Sequence, residues 1–165
     1  MIISLLGYMG CGKSSLGKKL ANKLSFDFID LDNEIEKLEG KTVSKIFEEK
    51  GEIYFRSLER KLLKENLKKN NTVLSLGGGT PCYGNNIDLI NKKSHSVFIN
   101  LPIKTLVQRL EQGKHKRPII AEKSQEELER FIEQHLNERL PFYKKAKTEY
   151  DSLKENIDTL ISYFK

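Results

Sequence analysis

The feature that most constrains the fold is residues 7–14, which read G-Y-M-G-C-G-K-S and fit the phosphate-loop pattern G-x-x-x-x-G-K-[ST]. The apolar run 2–6 precedes them, and Leu16, Leu20 and Leu24 follow at helical spacing. Such a loop lies between a buried strand and a helix N-terminus, where glycines let several backbone N–H groups face one anion. The sequence therefore predicts a nucleotide site directly after the first strand.

Two side chains of this loop suit a nucleoside triphosphate. Lys13 can reach the β- and γ-phosphates, and the hydroxyl of Ser14 can bind Mg²⁺. The alternative is a glycine-rich strand-to-helix turn that contains a stray lysine. Because glycine makes up about 7% of protein residues, a chance match in a chain of this length is roughly a one-in-two-hundred event. The flanking strand and helix patterns further favour nucleotide binding.

Length, charge and cysteine content narrow the class of protein. The chain has 165 residues, which suits one domain with its own core, and a formal net charge of +6. Its lysines are interleaved with glutamates as on solvated helix faces, so we expect small anionic partners and neither nucleic acid nor a membrane. No apolar run reaches membrane-spanning length. We expect a cytoplasmic monomer in which Cys11 and Cys82 are reduced.

Two aspartates follow the next apolar segment. Residues 26–32 predict a second strand that ends in Asp30 and Asp32. Residues two apart in a strand share a face, so both carboxylates are expected to point at the phosphate loop, one toward a metal and the other toward a substrate hydroxyl. The alternative is an acidic helix start, with Asp32 or Asn33 as N-cap of a helix over 33–38.

A run of glycines and an arginine suggest a second binding element. The predicted strand 72–76 leads into Gly77, Gly78 and Gly79, which indicates close approach of the backbone to another group or unusual φ values. A loose linker is the alternative. Arg56 lies near the start of a helix predicted from 52 to 68, where a cation opposes the helix dipole. It either holds an anion or is an ordinary surface residue.

Predicted strands alternate with predicted helices along the whole chain. This order favours a mostly parallel sheet with helices on both faces. Ser124 and Glu127 form a capping-box pattern that opens a long helix to about Tyr143. The strands are expected at residues 2–6, 26–32, 72–76, 96–101 and, more weakly, 148–150.

A basic loop narrows the class of nucleotide-binding protein. Residues 113–118 are polar, begin with glycine and end with proline, as in a flexible loop. In a phosphoryl-transfer enzyme such a loop can close over the phosphates and supply an arginine, here Arg117. An exposed lysine-rich loop is the alternative. The guanine-reading N-K-x-D pattern is absent from the sequence, so a small-molecule kinase is favoured over a GTP switch.

The motifs, in their order, resemble the shikimate kinase family over almost the whole chain. They read G-Y-M-G-C-G-K-S-S, D-L-D, G-E-x-x-F-R-x-x-E, L-G-G-G, K-R-P and E-R-x-P-x-Y. The resemblance implies an α/β P-loop fold of nucleoside-monophosphate-kinase type with a five-stranded parallel sheet. It also implies a single kinase domain over 1–165, with a shikimate-binding helical section at 32–62 and a lid loop at 112–123.

The implied reaction transfers the γ-phosphate of ATP to the 3-hydroxyl of shikimate, on the route to chorismate and aromatic amino acids. The resemblance implies Mg²⁺ at Ser14 and Asp30, and catalytic roles for Lys13, Asp32 and Arg117. The residues implied to bind ATP are Gly10, Cys11, Gly12, Lys13, Ser14, Ser15, Arg109 and Arg117. The residues implied to bind shikimate are Asp32, Arg56, Gly77, Gly78, Gly79 and Arg139.

Chemistry supports these roles, and two alternatives stay open. An arginine pair such as Arg56 and Arg139 suits a carboxylate, and an aspartate such as Asp32 suits a vicinal diol. A related P-loop kinase for another hydroxy acid such as gluconate would keep Lys13 and the lid but not both arginines. A nucleic-acid-binding module with an ATP-driven cycle would need a clustered basic stripe, which the sequence lacks.

Overall fold

The structure is a computed structural model that describes residues 1–113 and 119–165. Its centre is a five-stranded parallel sheet in the order β2-β3-β1-β4-β5. The predicted parallel architecture is therefore confirmed. β1 lies in the middle of the sheet and is buried along its entire length. The strands are β1 (Ile2–Leu6), β2 (Asp27–Asp30), β3 (Thr72–Ser75), β4 (His95–Asn100) and β5 (Thr148–Asp151).

Seven α-helices and one 3-10 turn connect and flank these strands in the described part of the chain. They are α1 (Lys13–Leu24), α2 (Leu31–Glu39), α3 (Val43–Asn66), α4 (Asn86–Lys93), α5 (Ile103–Gly113), α6 (Gln125–Tyr143), α7 (Ile157–Ser162) and the 3-10 turn Thr80–Cys82. None of the helices among the described residues has the length and apolar character that crossing a membrane requires.

Glycines and capping side chains define the ends of several helices. Gly40 ends α2 in the left-handed region, with φ 66°. The hydroxyl of Thr42 accepts a hydrogen bond from the N–H of Lys45 and caps α3. Gly51 has φ 81° and ψ 172°, and this non-helical conformation divides α3 into two helical parts. The capping box at the start of α6 is also present.

The expected end of the second strand is wrong. β2 ends at Asp30, and α2 begins at the next residue, so Asp32 lies in the first helical turn and not on a strand face. The physical reason is a cap, because Oδ1 of Asp30 accepts a hydrogen bond of 3.2 Å from the N–H of Asn33. The alternative of an acidic helix start describes this junction better, although the cap is Asp30 rather than Asp32 or Asn33.

Parallel strands bring several predicted site residues to one edge of the sheet. Asp30 is in register with Ser75, and Leu5 also pairs with Ser75, so the carboxyl ends of β2, β3 and β1 lie side by side. The phosphate loop follows β1 at this edge, and the glycine run starts two residues after Ser75. Open α/β sheets bind ligands beyond this edge.

Candidate active site

The phosphate loop is shaped by glycine conformations that other residues rarely adopt. Gly10 has φ 80° and Gly12 has φ 93°. Gly12 is also the N-cap residue of α1 and has no side chain to cap the helix. The first N–H groups of α1 therefore face the edge of the sheet together with the positive end of the helix dipole. This is the geometry of an anion site.

Lys13, the first residue of α1, lies across the loop. Its ammonium donates hydrogen bonds of 2.7 Å to the carbonyl of Gly7 and 3.1 Å to the carbonyl of Tyr8, and it lies 3.7 Å from the sulfur of Cys11. The charge is thus held above the loop by neutral acceptors. An anion that enters the loop can take over this ammonium without breaking an ion pair.

Ser14 and Asp30 form a pair of oxygen groups beside the loop. The Ser14 hydroxyl donates a 2.6 Å hydrogen bond to Oδ2 of Asp30, whose other oxygen caps α2. Hydroxyl and carboxylate oxygens are ligands that Mg²⁺ prefers. Among the described residues there is no cluster of three or more His, Cys, Asp or Glu residues able to hold a metal ion. Mg²⁺ in nucleotide sites uses one or two protein oxygens with phosphates and water, so this pair fits such a site.

Arg109, on α5, lies on the outer side of the loop. Its Nη1 donates a 3.4 Å hydrogen bond to the carbonyl of Gly10 and lies 3.5 Å from the place that a Cβ on Gly12 would occupy. A cavity of about 210 Å³ opens beside it. The cavity is lined by Cys11, Gly12, Ser15, Leu16, Lys19, Ile99, Arg109, Tyr150 and Ser152.

Each glycine of the run 77–79 leaves room for one predicted substrate residue. A Cβ on Gly77 would lie 2.9 Å from Oδ1 of Asp32. A Cβ on Gly78 would lie 2.7 Å from Nη1 of Arg139, and one on Gly79 would lie 2.6 Å from Nη2 of Arg56. Real Cβ atoms essentially never approach so closely. The glycines therefore serve close approach, and three side chains from α2, α3 and α6 meet over one stretch of backbone.

Asp32 is an acid whose charge is disfavoured by its surroundings. Burial raises its pKa to about 6, and the negative charges of Asp30 and Glu59 add to this effect. The positive charge of Lys13 acts in the opposite direction. Asp32 thus lies between the phosphate loop and the glycine run, and its pKa of about 6 is about one unit below neutral pH.

Arg56 is held by a buried acid. Its Nη1 donates a 2.9 Å hydrogen bond to Oε1 of Glu59, one turn further along α3, and only 1% of Glu59 is exposed. The other oxygen of Glu59 accepts a 2.8 Å hydrogen bond from the hydroxyl of Thr80. The guanidinium carbon lies 4.5 Å from the ring centre of Tyr83. Nη2 points toward Gly79, so the guanidinium is oriented before any substrate arrives.

Arg139, near the end of α6, completes the group. Its guanidinium carbon lies 5.8 Å from the ring centre of Tyr8. One turn later, the hydroxyl of Tyr143 donates a 2.6 Å hydrogen bond to the carbonyl of Gly78. Burial raises the pKa of Tyr143, which keeps this phenol protonated as a donor. α6 is therefore fastened to the glycine run beside Arg139.

Sequence reasoning did not assign roles to several groups that support this site. Glu59 stands in a quoted motif without a role, although its spacing from Arg56 suits a helical ion pair. Tyr8, Thr80 and Tyr143 carry no local signal that points to their partners. The predicted lid arginine, Arg117, lies outside the described residues.

The fold and the site together define the class of the protein. A central parallel sheet, a phosphate loop after β1 and a cleft with two arginines and an aspartate are those of a P-loop kinase of nucleoside-monophosphate-kinase type. The family model for shikimate kinase matches residues 9–164. The chain belongs to the shikimate kinase family, whose reaction is the ATP-dependent phosphorylation of shikimate.

Individual relatives agree with the family match. A shikimate kinase of Phocaeicola vulgatus is 48% identical over 145 residues, which cover 88% of this chain and 83% of the relative. The crystal structure of shikimate kinase from Bacteroides thetaiotaomicron has a TM-score of 0.91 at 41% identity, covering 99% of this chain and 96% of that one. Shikimate kinase from Acinetobacter baumannii, solved in complex with shikimate, has a TM-score of 0.84 at 30% identity, covering 99% and 89%.

Proposed function

We propose that this chain transfers the γ-phosphoryl group of ATP to the 3-hydroxyl of shikimate, giving shikimate 3-phosphate and ADP. The observation that supports this most directly is the convergence of Asp32, Arg56 and Arg139 over the glycine run, next to a phosphate loop. Shikimate carries one carboxylate and a set of ring hydroxyls, and these three side chains match both kinds of group.

The two arginines are proposed to hold the substrate carboxylate. A guanidinium presents parallel N–H groups that fit a carboxylate in two hydrogen bonds. Arg56 is already oriented by Glu59, and Nη2 of Arg56 and Nη1 of Arg139 point toward neighbouring glycines. Gly77, Gly78 and Gly79 then contribute backbone rather than side chains to the substrate cleft. The shikimate-binding section is accordingly placed at residues 32–62, with Arg139 added from α6.

Asp32 is proposed to orient the attacking hydroxyl and to accept its proton. A pKa of about 6 leaves the carboxylate ionised at neutral pH, and it is a better base than an aspartate in water. In phosphoryl transfer the demand on the base is small, and positioning and charge neutralisation dominate. Lys13 is proposed to exchange its carbonyl partners for the β- and γ-phosphate oxygens of ATP, which the N–H groups of residues 10–15 surround.

The remaining predicted groups are assigned around this reaction. Ser14 and Asp30 would hold Mg²⁺, which would neutralise negative charge on the phosphates during the transfer. Arg109 is proposed to lie beside the nucleotide base in the cavity on the outer side of the loop. Residues 112–123 are proposed to act as the lid, with Arg117 stabilising the transferring group. The enzyme is proposed to act as a cytoplasmic monomer, since the free thiols of Cys11 and Cys82 suit a reducing compartment.

The proposal is tested by substrate choice and by the arginines together. ADP release should depend on shikimate and not on gluconate, nucleoside monophosphates or RNA. Arg56→Ala and Arg139→Ala should each lower kcat/KM for shikimate, because truncating one side of a desolvated charge pair costs about 2–5 kcal/mol. This corresponds to a loss of roughly thirtyfold to several thousandfold.

The specific readout is the shikimate analogue whose carboxylate is replaced by a neutral amide. The amide should be a poor substrate that neither arginine variant worsens much. Arg130→Ala, an exposed arginine on the same helix as Arg139, serves as the matched control and should leave both substrates unaffected. Equal losses on the acid and the amide would mean that the arginines support the fold instead of reading the carboxylate.

A further inference from the structure

Tyr8 contacts both halves of the candidate active site. It belongs to the phosphate loop, and its carbonyl accepts hydrogen bonds of 3.1 Å from the ammonium of Lys13 and 3.2 Å from the N–H of Cys11. Its side chain is 1% exposed and extends to α6, where its hydroxyl makes a 2.9 Å hydrogen bond with Nδ1 of His135. One residue thereby joins the loop of the proposed ATP site to the helix that carries Arg139.

The contacts on α6 fix the plane of the Tyr8 ring. His135 and Arg139 are four residues apart, so they project from the same face of the helix. The imidazole of His135 meets the ring edge-on, with centres 5.4 Å apart and planes at 85°. The guanidinium carbon of Arg139 lies 5.8 Å from the centre of the same ring, within cation–π range. The hydroxyl of Tyr8 is thus bonded to His135, and the ring of Tyr8 lies beside the guanidinium of Arg139.

Both members of the hydrogen-bonded pair are uncharged at neutral pH. Burial raises the pKa of Tyr8 to about 12, against a smaller opposite effect of Arg139. Burial and the charge of Arg139 lower the pKa of His135, while Glu138 acts in the opposite direction. The pair therefore orients the aromatic ring without adding a charge that would compete with a substrate carboxylate for Arg139.

A space-filling role does not explain the hydroxyl. A phenylalanine would fill the same volume, and a buried phenol without a partner would cost stability. Here the phenol finds its partner on the helix that presents the arginine. A bidentate guanidinium–carboxylate contact depends on the plane of the guanidinium, which a flexible arginine side chain does not fix by itself.

We propose that Tyr8, held by His135, is a positioning residue that orients Arg139 toward the carboxylate of the substrate. The proposal rests on the proposed function, in which Arg139 binds that carboxylate. The carbonyl of Tyr8 also accepts a hydrogen bond from the ammonium of Lys13. The same residue therefore links the orientation of Arg139 to the position of the phosphate loop.

The test separates the hydroxyl from the ring. Tyr8→Phe keeps the ring and removes the hydrogen bond, and His135→Leu removes it from the other side. Each should raise KM for shikimate by about threefold to tenfold, the effect of one ordinary hydrogen bond. KM for ATP should stay within about twofold. The discrimination between shikimate and its amide should fall, because a misoriented Arg139 reads the carboxylate less well.

Two further comparisons distinguish positioning from general stabilisation. The double variant should be no worse than either single variant, since both remove the same bond. Tyr163→Phe is the control for the phenol, because its hydroxyl bonds Glu155 at the exposed end of α7. His95→Leu is the control for the imidazole, because His95 bonds Thr148 and packs edge-on against Phe164 at the opposite end of the sheet. Both controls should leave KM for shikimate unchanged.

The outcomes are distinguishable from failure of the proposed function. If the unaltered protein does not phosphorylate shikimate, or if Arg139→Ala harms the amide as much as the acid, the proposed function itself is wrong. If those results hold but Tyr8→Phe and His135→Leu affect shikimate and its amide equally, or raise KM for shikimate and KM for ATP in parallel, Tyr8 is only a packing residue. Should Tyr8→Phe fail to fold, His135→Leu decides alone, because the imidazole of His135 is partly exposed and its replacement leaves the core intact.

Discussion

In the phosphate loop, glycine is required by the backbone, whereas in the run 77–79 it is required by neighbouring side chains. Gly10 and Gly12 have φ values of 80° and 93°, which residues with a Cβ rarely adopt. Gly78 is not in that region, yet a Cβ there would lie 2.7 Å from Arg139. The phosphate loop forms a site from its own N–H groups, whereas the run 77–79 leaves space for side chains of other helices.

This difference shows how the two ends of the site are built. The phosphate end comes from one continuous segment, and its cation, Lys13, is held by loop carbonyls. The proposed shikimate end is assembled from three helices, and its cation Arg56 is held by the buried acid Glu59. The first end is defined by local conformation and the second by packing, so substitutions at the two ends should have separable effects.

The largest expected effect separates the two ends by removing the loop cation. Lys13→Ala should lower kcat by about a thousandfold, as for other groups that stabilise charge in a transition state. Shikimate binding should change little, because in the described part of the chain the hydrogen bonds of Lys13 are to atoms of the loop. The measurements are kcat and a direct titration with shikimate. Lys23→Ala, on the exposed end of the same helix, is the control. Near-normal turnover by folded Lys13→Ala protein would contradict the assigned role.

A smaller effect is expected on stability at the shikimate end. The pKa of Asp32 in the folded protein, about 6, lies above the ordinary aspartate value of 3.8. The folded protein therefore binds this proton more tightly than the unfolded chain. Ionisation of Asp32 lowers the stability of the fold, and this loss increases as pH rises from about 4 to about 6. Asp32→Asn should thus raise the free energy of unfolding by about 1–3 kcal/mol at pH 8, while kcat/KM for shikimate falls.

Denaturant unfolding at pH 8 and at pH 4, compared between the two proteins, measures this effect. The gain should shrink at the lower pH, where Asp32 is protonated in the unaltered protein as well. Asp27→Asn, an exposed aspartate at the start of β2, should produce no such gain. A destabilised Asp32→Asn protein at pH 8 would show that the carboxylate supports the fold.

The smallest of these three expected effects sharpens the contrast between the two kinds of glycine. Gly78→Ala should displace the tip of Arg139, a flexible side chain, and lower kcat/KM for shikimate by about tenfold, on the order of 1.4 kcal/mol. KM for ATP should remain unchanged. Gly12→Ala should instead impair the nucleotide side, because a Cβ is strained at φ 93°. If both variants damaged ATP and shikimate use alike, the two turns would not be functionally distinct.

The phosphate end could be predicted from sequence because its determinants are contiguous. Eight residues, 7–14, contain the glycines, the lysine and the serine, and the flanking strand and helix have clear periodicity. The parallel order of the sheet followed from alternating strand and helix patterns. The cap at Ser124 could be predicted for the same local reason.

The proposed shikimate end could not be predicted fully, because packing and competing local hydrogen bonds determine where its side chains lie. Asp32 was placed on a strand because alternation suggested it, but the Asp30 carboxylate captures the N–H of Asn33 and starts a helix. Glutamate usually lies on the protein surface, so the sequence gives no reason to expect Glu59 in the interior. It is buried here because it bonds both Arg56 and Thr80. The Tyr8–His135 bond spans 127 residues, a separation that no local pattern encodes.

The central position of β1 has a consequence for the order in which the chain matures during synthesis. Ile2 pairs with Thr72, and Ile3 pairs with His95, so both neighbouring strands are made long after β1. At about 5–20 residues per second, the interval is roughly 4 to 20 s. During it, β1 is an apolar strand with two unpaired edges, the kind of segment that invites association with other chains. The phosphate loop is translated before β3 and β4, and it gains its final shape only after both strands have left the ribosome.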